Sequence, residues 1–164
     1  MAAPLHPDPN YRSPRYSIAR TATRCWHCGQ STRVLALLLP EDHETLDPES
    51  AEESNAWQPA GGNAFLFYVA YLPDSVQRRL LQLSSTIRAA HSAATANRYW
   101  ANHCEHCGAL LDDQELHCET TGAFMPCSEA EAQNIELLQV HEPFEALAGG
   151  YAPEPEFLRF MRKA

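Results

Sequence analysis

The sequence lacks the segments and short motifs by which several large classes of protein are recognised. No apolar run in its 164 residues approaches the roughly 18 that a membrane-spanning helix needs. The stretch Met1–Pro9 has neither the charged nor the apolar region of a secretory signal. No glycine-rich phosphate loop, GxSxG or HExxH motif is present. We therefore expect a cytoplasmic protein that does not bind a membrane, and no common motif predicts catalytic residues.

Positive charge is scarce over most of the chain. The sequence has 12 Lys and Arg against 21 Asp and Glu, which gives a net charge of −9, and most of the acids lie in residues 34–62 and 104–164. An acidic surface repels a nucleic-acid backbone and favours a basic protein partner. An Arg-rich N-terminal stretch is the local exception and keeps nucleic-acid binding as an alternative. Its members are Arg12, Arg15, Arg20, Arg24 and Arg33.

Four of the six cysteines fall in two Cys-x-x-Cys-Gly motifs. Each motif, Cys25–Gly29 and Cys104–Gly108, places two sulfurs on one side of a tight turn. The glycine after the second cysteine can adopt the positive φ that lets backbone N–H groups approach those sulfurs. Together the motifs supply four thiolates, the number that a structural zinc site uses. We predict one structural Zn²⁺, with Cys25, Cys28, Cys104 and Cys107 as its ligands.

A long segment separates the two motifs. Between Cys28 and Cys104 lie 75 residues, whereas compact zinc ribbons separate their pairs by roughly 12 to 20. The predicted site is therefore split, with most of a domain inserted between its halves. A thioredoxin-like redox pair is the alternative for each motif, but such a pair follows a core strand, and Ser17–Arg24 is a poor candidate for one. Without a secretory signal, reduced and metal-bound thiols are favoured over disulfides.

The apolar pattern predicts an α+β fold with a small antiparallel sheet, one main amphipathic helix and the split zinc site. The candidate strands are Arg33–Leu39 and Ala64–Leu72, which should pair across the acidic loop Glu41–Gln58. The helix is predicted to begin with Asp74 as its N-cap and to carry an apolar stripe as far as Ala90.

The chain is long enough for one domain with an extension at each end. The Pro-rich residues 1–16 are predicted to be a flexible arm, residues 17–150 the zinc-stabilised domain, and residues 151–164 a C-terminal tail. After the second motif, Ala109–His117 is a candidate short helix and Ile135–Val140 a candidate strand.

The residues around the second motif form a recognisable pattern. It consists of Tyr99–Leu110, Asp113, Leu116–His117 and Gly122–Pro126, together with Cys25–Cys28 leading into an apolar strand. This pattern resembles a group of small, uncharacterised bacterial zinc-ribbon-like proteins, over about residues 17–126. The resemblance implies a zinc fold with two CxxCG knuckles split by a domain-sized insertion, and it implies no activity. Three residues depart from the group's pattern, namely Asp112, where the group has glycine, Cys118 and Cys127.

Two further sets of side chains are candidates for chemistry. Asp113 and His117 are four residues apart and would share one helix face, as a hydrolytic or nuclease acid–base pair does. Because no nucleophile motif accompanies them, a local surface pair is the plainer interpretation. A second metal site is the other candidate, although its spacing matches no standard ligand pattern and buried thiols explain its cysteines better. Its members would be His103, His117, Cys118 and Cys127.

Three functions remain open from the sequence. We expect first a non-enzymatic, zinc-stabilised protein-interaction module with a basic partner, acting as an adaptor, a regulator or an inhibitor. A toxin-neutralising immunity protein is a concrete example of the last. The alternatives are a nucleic-acid-binding zinc protein that uses the Arg-rich arm, and a hydrolase or nuclease built on Asp113 and His117.

Overall fold

β-Strand is the most common regular structure in the described chain. The structure is a computed structural model, and it describes residues 8–46, 57–91, 98–119, 122–153 and 158–164. Within these ranges the helices are α1 (Asp74–Leu83), α2 (Asp113–His117) and α3 (Glu129–Ala132), and none is long and apolar enough to cross a membrane. The strands are β1 (Tyr11–Ser13), β2 (Tyr16–Arg24), β3 (Ser31–Leu39), β4 (Glu44–Thr45), β5 (Gln58–Pro59), β6 (Ala64–Tyr71), β7 (Arg88–His91), β8 (Arg98–His103), β9 (Leu110–Leu111), β10 (Glu136–Val140), β11 (Phe144–Pro153) and β12 (Arg162–Lys163).

The strands form one large sheet and one small sheet. Nine strands make the large sheet in the order β12-β10-β2-β3-β6-β11-β1-β4-β5, and the small sheet has the order β7-β8-β9. The described pairs are antiparallel except β10 with β12, which is parallel. The fold is therefore richer in sheet than the predicted α+β arrangement of a small sheet with one main helix, which is only partly confirmed. Some segments whose own sequence only weakly predicts a strand are strands here. The adjacent strands supply their hydrogen bonds and bury their side chains.

The two strands with the clearest apolar pattern lie in the middle of the large sheet. β3 and β6 pair antiparallel, with Leu37 opposite Leu66 and Leu39 opposite Ala64. Both predicted strands and their pairing are confirmed. Long apolar runs predict such strands well because both faces of an interior strand are buried.

β2 lies in the interior of the sheet although its sequence predicts a poor strand. It pairs with β3 from Ser17 opposite Leu38 to Arg24 opposite Ser31, and β10 flanks its other edge. The prediction for this segment is wrong because hydrogen bonds on both edges hold a strand whose own propensity is low. The turn that joins β2 to β3 is the first Cys motif, so this hairpin carries half of the predicted metal site.

α1 begins differently from the prediction. Pro73 is the N-cap, no side chain caps the helix, and Asp74 is its first residue. The side chain of Gln77 donates a hydrogen bond to the carbonyl of Leu72, just before the helix, at 2.7 Å.

α1 also ends earlier than its apolar stripe predicts. The helix stops at Leu83, where Ser84 takes extended backbone angles and its hydroxyl accepts a hydrogen bond from the N–H of Thr86 at 3.1 Å. Ala90, the predicted end of the stripe, lies in β7 and pairs with β8. Ile87, which the stripe predicted to be on the helix, is buried in the core beneath α1 although it lies beyond the end of the helix.

The side chains of β3 alternate between two apolar cores on opposite faces of the sheet. The odd-numbered residues of Leu35–Leu39 belong to the core that α1 covers. The even-numbered residues of Val34–Leu38 belong to a second core, which also contains Cys25 and Cys104. The predicted metal site therefore lies at the margin of the second core.

Both ends of the described chain enter the large sheet. β1 pairs with β11, with Tyr11 opposite Ala146, so part of the segment predicted as a flexible arm is strand. Residues 1–7 of that arm lie outside the described residues. At the other end β11 runs across residue 150, and β12 pairs with β10, with Arg162 opposite Glu136.

The start and the end of the predicted acidic loop pair with each other. Thr45 of β4 lies opposite Gln58 of β5, and β4 also pairs with β1. Two ion pairs connect this region to the N-terminal stretch, Arg12 with Glu44 and Arg15 with Asp42, both at 2.9 Å. Residues 47–56 of the loop lie outside the described residues.

Candidate metal centre

The structure brings the four predicted ligand sulfurs together. The Sγ atoms of the four cysteines all lie within 4.8 Å of one another. Two separations cross between the motifs at 3.6 Å, from Cys25 to Cys107 and from Cys28 to Cys104. A tetrahedral metal with bonds to sulfur of about 2.3 Å separates its sulfurs by about 3.8 Å. The spacing therefore fits four thiolates around one metal ion, such as zinc.

The two knuckles have nearly the same backbone geometry. In the first knuckle, the N–H of Cys25 donates to the carbonyl of Gln30, and the N–H of Gly29 donates to the carbonyl of Cys25, both at 2.9 Å. In the second, the N–H of Cys104 donates to the carbonyl of Ala109 at 2.9 Å, and the N–H of Gly108 donates to the carbonyl of Cys104 at 3.0 Å. The glycines have φ of 75° and 76°, a conformation that L side chains rarely adopt. The predicted role of the glycine in each motif is confirmed.

Backbone N–H groups point at the first sulfur of each knuckle. The N–H of His27 lies 3.3 Å from Sγ of Cys25, and the N–H of His106 lies 3.4 Å from Sγ of Cys104. Such bonds stabilise the negatively charged thiolate, which is the form that binds a metal. The imidazole of His106 contacts the carbonyl of Ser31 through Nε2 at 2.9 Å, away from the sulfurs.

Direct contacts hold the second knuckle against the first across the long insertion. The N–H of Glu105 donates to the hydroxyl of Thr32 at 2.9 Å, and the carboxylate of Glu105 pairs with Arg33 at 2.9 Å. In the opposite direction, the first knuckle binds the second: the indole N–H of Trp26 donates to the carbonyl of Leu110 at 2.8 Å. These contacts assemble a split site from a hairpin turn between β2 and β3 and a turn between β8 and β9.

The sulfurs differ in their access to solvent. Cys25 and Cys104 are buried, Cys28 is half-buried and Cys107 is exposed. Trp26, which follows the first cysteine, is 62% exposed. A closed set of four protein ligands leaves no coordination position for a substrate or a water molecule.

Asp113 and His117, the candidate acid–base pair, are buried. They are 5% and 4% exposed, and the ring of His117 stacks on Phe124 with 5.2 Å between the ring centroids. Burial raises the pKa of Asp113 to about 7 and lowers the pKa of His117 to about 3. The interpretation as a surface pair is wrong, because α2 turns this face toward the apolar core.

A network of tyrosines binds the two acids at the start of α2. Asp112 is the N-cap and accepts hydrogen bonds from the hydroxyls of Tyr99 at 2.6 Å and Tyr68 at 3.0 Å. Asp113 accepts one from the backbone N–H of Tyr68 at 2.7 Å. Burial, followed by the bond to Asp112, raises the pKa of Tyr68 to about 12. Asp112 followed three residues later by Glu115 is a capping-box pattern that could have indicated this N-cap.

The members of the hypothetical second metal site do not come together. Among the described residues, the four knuckle cysteines are the only group positioned to share a metal. Cys118 and Cys127 are exposed, so their prediction as buried thiols is wrong. His103 is buried, and its Nδ1 lies 3.0 Å from the carbonyl of Thr86.

Comparison of the chain with protein-family models, curated proteins and solved structures found no match. The part of the predicted resemblance that the structure supports is the four-cysteine cluster. A relationship to zinc ribbons stays a prediction.

Proposed function

We propose that the four-cysteine centre binds zinc and that the zinc has a structural role. Four sulfur donors in a tetrahedral arrangement favour zinc or iron, and zinc is the usual metal of paired CxxC knuckles. The metal would join the β2–β3 hairpin to the β8–β9 turn. Its chemistry is to crosslink the two halves of the chain, and no reaction step involves it.

We further propose that the protein is a non-enzymatic interaction module whose partner is a basic protein. The observation that carries this proposal is the long stretch without Lys or Arg, from Tyr99 to Leu158. Its twelve Asp and Glu include Asp113, which is buried, and three acids that pair with arginines, namely Glu105, Glu136 and Glu142, so the exposed acids outside these four carry the proposal. Within it Glu115, on α2, and Glu119, two residues after α2, are exposed. A cationic partner would be steered to this surface by its charge. A toxin-neutralising immunity protein remains one example of such a module.

The ion pairs of the structure weaken the nucleic-acid alternative. Four of the five N-terminal arginines pair with carboxylates of the same chain, and Arg24 bonds through its guanidinium to the carbonyl of Gly29. Arginines already bound to carboxylates are poor contacts for a phosphate backbone. The four pairs are Arg12 with Glu44, Arg15 with Asp42, Arg20 with Glu136, and Arg33 with Glu105.

The burial of Asp113 and His117 likewise weakens the hydrolase alternative. A general acid or base must reach its substrate within hydrogen-bond distance, directly or through one water. Both side chains face the core instead, beside a cavity of about 20 Å³ that no organic substrate fits.

Capture and titration test the proposal. The zinc-loaded protein, once immobilised, should retain a protein of net positive charge from bacterial extract. The affinity of the purified partner should fall several-fold as salt rises from 50 to 300 mM. The variant E115K/E119K should slow association. The matched control E41K/D74K changes the net charge equally at two exposed acids elsewhere. Asp42 and Glu44 are unsuitable for reversal because they are ion-paired.

Two outcomes would count against the proposal. Binding to the purified partner that neither salt nor either charge reversal changes would remove the acidic surface from the function. Binding to a labelled DNA duplex that weakens with salt and is lost in R12Q/R15Q/R24Q would favour the nucleic-acid alternative instead.

A further inference from the structure

A small cavity lies between α2 and the first core. Its volume is about 20 Å³, and its polar lining comes from Asp113, His117 and Asn102. A cavity needs roughly 10 to 15 Å³ to admit one water molecule, and ligand pockets are at least roughly 300 Å³. The remaining lining is apolar and includes Leu66, Ile87 and Trp100. The space therefore suits a single water molecule.

The polar groups at this cavity include an unsatisfied one. Nδ1 of His117 is buried and has no hydrogen-bond partner among the described residues. Asp113 offers a carboxyl group of which one oxygen is bound by the N–H of Tyr68. Burying an unpaired polar atom costs free energy, and ordered water is the usual partner where protein groups do not reach. A water molecule between the two side chains would satisfy the nitrogen.

We propose that this cavity binds one water molecule, which donates a hydrogen bond to Nδ1 of His117 and bonds to the oxygen of Asp113 that Tyr68 leaves free. The imidazole then carries its proton on Nε2, because Nδ1 is the acceptor. Asn102 does not compete for the water, since its amide is bound to the backbone of Leu35 on both sides.

Of the two side chains that the water would bridge, Asp113 carries a proton on its carboxyl group and His117 is neutral. In the folded protein near pH 6, burial keeps Asp113 protonated and His117 neutral. In the unfolded chain at that pH the carboxylate is ionised and the imidazole is protonated. Folding therefore transfers one proton from the imidazolium to the carboxylate, and the pair neither takes up nor releases protons. The ionisable groups that face Asp113 from β6, β8 and α2 are Tyr68, Tyr99, Asp112 and Cys118.

NMR of the zinc-loaded, isotope-labelled protein tests the water site. We expect a cross-peak from a long-lived water to the ring protons of His117 and to the methyl groups of Leu66 and Ile87, and ¹⁵N shifts that place the imidazole proton on Nε2. The variant H117F should lose the water cross-peaks at these methyls. The matched control H43F removes another buried histidine, whose Nε2 also lacks a partner among the described residues, and should leave them unchanged.

The wild-type spectrum decides the proposal even if H117F does not fold. A dry cavity, shown by methyl groups with no cross-peak to long-lived water, would overturn it. An imidazole with its proton on Nδ1 would do the same, because that nitrogen could not accept a bond from water. Persistence of the cross-peaks at full intensity in a folded H117F would show that the water does not depend on the histidine.

Discussion

The side-chain amide of Asn102 and the backbone of Leu35 bind each other in both directions. The N–H of Leu35 donates to Oδ1 of Asn102 at 2.9 Å, and Nδ2 of Asn102 donates to the carbonyl of Leu35 at 2.9 Å. Leu35 lies on β3, which follows the first knuckle, and Asn102 lies on β8, two residues before Cys104. β3 pairs with β6 only from Leu37 to Leu39, so at Leu35 the amide takes the place of a neighbouring strand. This pair fixes the two knuckle-bearing strands relative to each other.

Replacing Asn102 by leucine should destabilise the fold by about 3 kcal/mol, because the buried N–H and carbonyl of Leu35 each lose their partner. The metal should also be lost to a chelator more readily, since β8 no longer holds the second knuckle in place. Urea denaturation and competition with a chromogenic chelator measure the two effects. The control Asn134→Leu replaces an exposed asparagine and should change stability by less than about 0.5 kcal/mol.

The purified protein should contain one zinc per chain, and either Cys25→Ser or Cys104→Ser should lose it. Because the metal closes a long segment, each loss should lower the melting temperature of the whole domain. Elemental analysis and thermal unfolding test this. Cys118→Ser and Cys127→Ser, which change exposed cysteines outside the cluster, should keep the metal and the melting temperature. A metal-free wild type, or a Cys25→Ser variant as stable as wild type, would contradict the shared site.

Single substitutions at Asp113 and His117 should reveal opposite pH dependences of stability. The folded pKa of Asp113 is raised to about 7, so its contribution is full below its unfolded pKa and is lost as pH rises through 7. The folded pKa of His117 is lowered to about 3, so its contribution is full above its unfolded pKa of about 6.5 and is lost as pH falls. Between pH 5 and 6.5 the two slopes offset each other in the wild type.

Asp113→Asn leaves only the histidine, so stability relative to wild type should rise with pH across that window. His117→Phe leaves only the carboxyl group, so relative stability should fall as pH rises toward 7. Each slope has a limit of about 1.4 kcal/mol per pH unit. Urea denaturation of the zinc-loaded proteins at pH 5, 5.5, 6, 6.5 and 7 measures them. Curves for both variants that run parallel to the wild type would show that neither group titrates between the folded and unfolded states as stated.

Gly149→Ala should destabilise the protein by about 2 kcal/mol through a contact with Tyr68. A Cβ at position 149 would lie 2.9 Å from Cβ of Tyr68. Tyr68 cannot easily move away, because its φ of 53° is already unusual for a non-glycine residue and its N–H is bound to Asp113. Gly61→Ala is the comparison, since its φ is +78° but nothing lies within 4 Å of the added carbon. It should cost about 1 kcal/mol from the backbone alone, and thermal unfolding ranks the two.

The sequence patterns that predicted the structure best involve residues that are suited to few environments, such as paired cysteines and long apolar runs. Paired cysteines three residues apart, each pair followed by a glycine, predicted the four sulfurs that the structure brings together. The apolar runs that became β3 and β6 predicted interior strands because few other environments accept so many apolar side chains in a row. In both cases the signal lies within a few consecutive residues.

Other elements depend on residues distant in the sequence, and local reasoning missed them. β2 has a weak strand pattern, and its interior position depends on β3 and β10 on its two edges. The apolar stripe of α1 predicted a helix to Ala90, but pairing with β8 makes the last part a strand. Asp113 and His117 have the spacing of a surface pair, and they are buried because α2 packs its inner face against Phe65 and Phe124.

By itself the sequence determined the four cysteines of the cluster, the two interior strands and the acidic charge, since each of these follows from side-chain chemistry or from a short run of residues. The tertiary structure alone decided which sulfurs approach one another, that four of the five N-terminal arginines pair with acids of the same chain, and that an asparagine connects the two knuckle-bearing strands. These relationships join residues up to more than a hundred positions apart, as in Arg20 with Glu136. Their geometry depends on the register and packing of the whole sheet, which no local pattern encodes.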